Sequence, residues 1–111
     1  MKFAMFGLAV VALLFITPSA HAAIFNCNPA DVASWGNRVH VRCSPSAGVI
    51  AFFAVNTTNP GATERFTEIA LAALVNNKTL AIEFNPADAS GPSFGCALSN
   101  CRPALAIVIV K

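Results

Sequence analysis

The sequence predicts a small α+β domain that is mostly β: a five-stranded barrel with one helix and two disulfides. Three observations predict it. The chain opens like an export leader, all four cysteines lie after that leader, and the apolar segments run strand, strand, strand, helix, strand, strand.

The leader is read over residues 1–22. Lys2 supplies a positive start, Phe3 to Ile16 an apolar centre, and Ala20-His21-Ala22 a small-x-small cleavage site. The apolar run stops at Thr17-Pro18, short of the roughly 20 residues that span a bilayer, so no membrane span is expected after its removal. Residues 23–111 then form one domain, since a chain this short has one core at most. An exported product is secreted or periplasmic, where thiols oxidise. Removing Lys2 from the seven basic residues leaves six against five acidic ones, a net charge of about +1. That is too little to suggest nucleic-acid binding, where a clustered basic face is expected.

Gly36-Asn37 suits a tight turn between a strand over Val32–Trp35 and a second over Arg38–Cys43. In that second strand Val39 and Val41 alternate with Arg38, His40 and Arg42, so the valines face the core and the other three face away. Ser44 to Gly48 is a turn cluster. Val49 to Val55 is a continuous apolar run that reads as a central strand covered on both faces. After Asn56 to Gly61, with Thr58 or Thr63 as the cap and Glu64 favouring the dipole, Ala62 to Asn76 reads as a helix. Phe66, Ile69, Ala70, Ala73 and Leu74 sit at helical spacing, and Leu71 and Val75 widen the apolar arc. Thr79 to Phe84 alternates Leu80 and Ile82 with Ala81 and Glu83, a strand with one wet face. Asn85 to Pro103 is a long loop, and Ala104 to Val110 a last β-branched strand.

This order is that of the oligonucleotide/oligosaccharide-binding (OB) barrel, with an open α+β sandwich as the alternative. Four cysteines allow three pairings. Proximity favours Cys96–Cys101, separated by four residues, and therefore Cys27–Cys43 across the first hairpin. Counting back from Gly36-Asn37 sets Cys43 opposite Ala30, so Cys27 needs a bulge to reach it. Zinc is not expected, because only one cysteine pair approaches the spacing of a metal site.

No catalytic residue is assigned. His40 has neither a nucleophile nor an orienting carboxylate near it in sequence, and Asp31, Glu64, Glu68, Glu83 and Asp88 are scattered. No cofactor or metal is expected. The candidate ligand surface combines Arg38, His40 and Arg42 with Asp88, Ser90, Ser93 and Phe94 of the long loop, where carboxylate, hydroxyls and an aromatic lie beside a cysteine. The same loop also reads as a purely structural one pinned by Cys96.

The strand order, a helix ending in Asn76-Asn77-Lys78 with the strand Thr79 to Phe84 directly after it, and the late Cys96 and Cys101 together resemble the B subunits of subtilase-cytotoxin-like and pertussis-like toxins. They are also similar to exported proteobacterial proteins without a toxin partner. The resemblance implies rings of five and a cell-surface sugar as ligand. With no tyrosine and with Trp35 as the one tryptophan, a stacking platform is thinly supplied. The expected function is a non-catalytic module that binds a glycan or an exported protein. The alternatives are an assembly protein that self-associates through its apolar helix and, less favoured, a small hydrolase.

Overall fold

A computed structural model describes residues 22–110; the expected leader lies outside the described residues, Ala22 excepted. The first hairpin forms where expected. β2 (Pro29–Trp35) and β3 (Arg38–Ala47) are antiparallel, with Trp35 opposite Arg38, Ala33 opposite His40 and Asp31 opposite Arg42. Only Gly36, the first central residue of the turn, takes positive φ (48°), a conformation that glycine adopts without a Cβ clash. The register slips between Pro29 and Asp31, so Cys43 faces Pro29 and Ala30 is the bulged residue. This bulge brings Cys27 within reach of Cys43, and both expected disulfides, Cys27–Cys43 and Cys96–Cys101, are present.

There are six strands rather than five. Ala23–Cys27 forms β1, which pairs with β5 (Thr79–Phe84), and only Asn28 separates it from β2. Asn28-Pro29 marks the break between β1 and β2, but a segment as short as Ala23–Cys27 carries no sign of the distant strand that pairs with it. The hydrogen-bonded order is β1-β5-β6-β4-β3-β2, where β4 is Ile50–Asn56 and β6 is Cys101–Val110. The outermost strands of this order, β1 and β2, are consecutive in sequence, so the sheet bends until its two edges meet at Asn28. There the Ser44 amide donates to the Asn28 carbonyl at 3.0 Å.

β3 runs on to Ala47, past the expected end at Cys43, and the turn falls at Gly48-Val49. Val49 is exposed rather than part of β4. β6 likewise starts at Cys101, earlier than Ala104. Its first three residues pair in parallel with Phe52–Ala54 of β4, and from Ala104 it pairs antiparallel with β5. Pro103 reads as a strand breaker in sequence. It is accommodated here at the point where β6 changes partner, one of the few places a proline suits a sheet.

The helix α1 spans Pro60–Val75. Asn59, not Thr58 or Thr63, is the cap: its Oδ1 accepts from the Ala62 amide at 3.2 Å, and Pro60 occupies the first position. Thr63 instead donates its hydroxyl to the Asn59 and Asn56 carbonyls. The earlier start carries Glu64 beyond the first turn, away from the dipole's positive end. At the other end Asn77 takes φ 55°, and the amides of Lys78 and Asn77 donate to Ala73 and Leu74, a Schellman closure with asparagine in the left-handed position.

Phe66, Ala70 and Ala73 of α1 cover a core that includes Val41, Phe53, Leu80 and Ile82. Phe53 is central to it, edge-on to Phe84 at 4.8 Å and stacked on Phe25 at 6.1 Å. A second, smaller core of Ala54, Phe94, Cys96 and Cys101, with Phe52 against it, lies on the other face of β4. β4 is thus covered on both sides at Phe52 to Ala54, as the apolar run implies.

Candidate functional site

That other face of β4 continues across β3 and β2 as an open groove of about 460 Å³. β2 contributes Asp31, Ala33 and Trp35, β3 contributes Arg38, His40 and Arg42, and β4 contributes Phe52. Strand alternation and the hairpin register place them together: every second residue of β2 and β3 lines the groove, while Val39 and Val41 go to the core.

Each polar group has a defined state. Arg42 Nε donates to Asp31 Oδ2 at 2.7 Å, across directly opposed positions of the hairpin. Arg38 Nε donates to His40 Nδ1 at 3.2 Å, so that nitrogen is an acceptor and the ring is neutral with its proton on Nε2. His40 is not the surface residue its place on a polar strand face suggests. It is only 6% exposed, with the Phe52 ring 4.7 Å away. Burial lowers its pKa below the ordinary 6.5, the adjacent Arg38 charge lowers it further, and Asp31 acts in the opposite direction. Trp35 is 59% exposed, at the end of the groove opposite Arg38.

The two segments singled out in the sequence do meet, through the expected Arg38 on β3 and through the Gly95 backbone on the loop. A short 3₁₀ turn at Gly91–Phe94 ends at Gly95, whose φ is 90°. A Cβ built on Gly95 would stand 2.5 Å from Nη1 of Arg38, so the guanidinium lies directly against this backbone. Phe94 is buried in the smaller core, packed with Ala54, Cys96 and Cys101. Asp88 accepts from the Ser90 amide at 2.9 Å, and Ser93 donates its hydroxyl to the Ser90 carbonyl at 2.8 Å. Hydrogen bonds from Ser90 hold the Asp88 pKa below 3.8, which some desolvation opposes and the Arg102 charge assists. Asp88, Ser90 and Ser93 thus direct these groups to the loop's own turns.

Asp31, Trp35 and Phe52 complete the groove and were absent from the sequence-based site. The hairpin register could have found the first two, since counting from Gly36-Asn37 sets Trp35 and Asp31 opposite Arg38 and Arg42. Phe52 could not be found that way, because an apolar run gives no sign of which side a ring serves.

A second cleft of about 350 Å³ lies between α1 and β6, lined by apolar side chains apart from Arg65. Its one aromatic is Phe66, which is buried in the core, and its one charged group is Arg65, so it lacks the exposed aromatic and paired polar groups of the groove. Among the described residues no group of three or more His, Cys, Asp or Glu side chains stands close enough to hold a metal ion, and no helix is long and apolar enough to cross a membrane. No family model, curated protein or solved structure matches the chain.

Proposed function

We propose that this chain is an exported, non-catalytic binding module whose ligand lies across the groove of β2, β3 and β4. The observation that carries the reading is the convergence of an exposed Trp35, two arginines and the His40–Phe52 pair on one face of a disulfide-braced sheet. Aromatic faces beside cations suit a ring-shaped ligand bearing polar or charged substituents. Two disulfides favour an oxidising compartment, secreted or periplasmic.

The barrel expectation supports the same surface. If β1 and β2 are taken as one strand bent at Asn28, the pairing order and the parallel β4–β6 contact are those of a five-stranded OB barrel. Such barrels meet ligands on the outer face of their second and third strands and in the flanking loops. On that reading the groove falls on the equivalent face, beside residues 85–100. The resemblance to toxin B subunits adds sugars to the ligand classes worth screening.

A screen of the full chain against immobilised glycans and exported proteins tests this. Retained hits that are lost in Trp35→Ala and Arg38→Gln, with folding intact by circular dichroism, are expected. Hits that survive both substitutions would remove the groove from the reading, and silence across both screens would end it.

A second reading, self-association, is favoured by exposed Leu71 and Val75 on α1 and exposed Leu105, Val108 and Ile109 on β6. Light scattering that returns a monomer at every concentration would dismiss it.

A further inference from the structure

The groove contains two guanidinium groups and one carboxylate, and the carboxylate is taken. Asp31 pairs with Arg42, which is the one ion pair among the described residues. Arg38 faces no carboxylate. Its Nε–H goes to the neutral His40 ring and its Nη1 lies against Gly95. Directly across the hairpin from it stands the exposed Trp35, a flat apolar surface next to an uncompensated cation.

We propose that Arg38 binds a carboxylate or sulfate carried on a ring that lies over Trp35, and that His40 takes up a proton as this anion binds. The inference rests on the binding-module reading and specifies its ligand. The coupling follows from the geometry. The Arg38–His40 hydrogen bond exists only while Nδ1 is unprotonated. A proton arriving from solvent on Nδ1 removes the acceptor, frees the Arg38 Nε–H to donate to the ligand, and sets two cations side by side. A bound anion neutralises one of them. Protonation and anion binding therefore favour each other, and linkage makes the effect reciprocal.

The charged groups around His40 agree with this. On its own strand it is flanked by Arg38 and Arg42, and β2 supplies Asp31, already engaged by Arg42. β4 offers only Phe52 and Ala54, and the 3₁₀ turn presents the Gly95 backbone. Asp31 is the one carboxylate that favours an imidazolium here, and it is already paired with Arg42, so a bound anion would add charge that the groove itself supplies only in part.

The test is an NMR titration of the His40 ring proton in the full chain, assigned by its absence from H40Q, at constant ionic strength. The probes are chloride as reference, then sulfate, glucuronate and glucose. Glucuronate is expected to raise the His40 midpoint by roughly one pH unit, the scale of one opposite charge at close range. Its affinity should then be about tenfold tighter below that midpoint than well above it. R38Q should abolish the rise and R38K, which keeps the charge, should retain part of it. A midpoint identical in glucuronate, sulfate and chloride, or an equal rise in R38Q, overturns the proposal. If glucose moves the Trp35 and Phe52 resonances while neither anion moves the His40 midpoint, the anion proposal fails and the binding module stands. If no probe moves any groove resonance, the anion proposal fails, and the screens against immobilised glycans and exported proteins decide the binding module separately.

Discussion

His40 is kept neutral by its surroundings, and that has a cost on acidification. Folding lowers its pKa from 6.5, by burial first and by the Arg38 charge second. Below pH 6.5 the unfolded chain takes up a proton that the folded chain refuses until its own lower midpoint, so stability falls across that interval and is flat above it. Replacing His40 with glutamine should flatten the fall, read as urea midpoints from neutral pH down into the acid range. An equal slope in both proteins would mean that His40 does not titrate as described. Gly91 is the other position where one atom decides. A Cβ there would stand 2.6 Å from the Cys96 carbonyl oxygen, a backbone atom that cannot swing aside. Gly91→Ala should cost about 1 to 3 kcal/mol in denaturant unfolding, as overpacking does elsewhere, whereas Gly61→Ala, with its nearest neighbour a flexible Arg65 side chain at 3.4 Å, should be tolerated far better.

Among the elements, α1 depends most on its ends. Its apolar arc includes exposed Leu71 and Val75, so only part of it is buried against the sheet, and alanines supply much of that contact. The Asn59 cap and the Asn77 Schellman closure therefore matter to where the helix begins and stops. Asn59→Ala should lower stability by about 1 kcal/mol in thermal or denaturant unfolding. Thr58→Ala should have little effect, since Thr58 is not the cap; the reverse ranking would contradict the observed one. The 3₁₀ turn at Gly91–Phe94 behaves differently. Its serines and Asp88 look like a binding loop in sequence, yet their hydrogen bonds close on the loop itself while Phe94 anchors it to the Cys96–Cys101 bridge.

For the molecule as a whole, closure of the sheet is the central structural event. β1 and β2 belong to opposite edges of the strand order, and Cys27–Cys43 ties β1 to β3 across the place where the edges meet. The bridge spans a sequence separation of 16, against 5 for Cys96–Cys101. The longer loop removes more freedom from the unfolded chain, so replacing Cys27 and Cys43 by alanine should cost about 3 kcal/mol and replacing Cys96 and Cys101 less. Paired urea melts check the order. If the short bridge proved the more important, the Phe94 core rather than edge closure would limit stability.

Features under the control of short-range chemistry were legible in the amino acids alone. Gly36-Asn37 set the first hairpin, period-two alternation divided Val39 and Val41 from Arg38, His40 and Arg42, and helical spacing with flanking Asn and Pro residues set α1 to within a few residues. Cysteine spacing was enough to favour both bridges. Features that depend on a distant partner emerged only in the folded chain. β1 is a strand because β5 lies beside it, and β6 begins at Cys101 because β4 offers a parallel edge there. Phe52 turns towards the groove and covers His40 because Phe53 fills the core. Periodicity records which residues share a face of one element; it carries no record of which other element comes to cover that face.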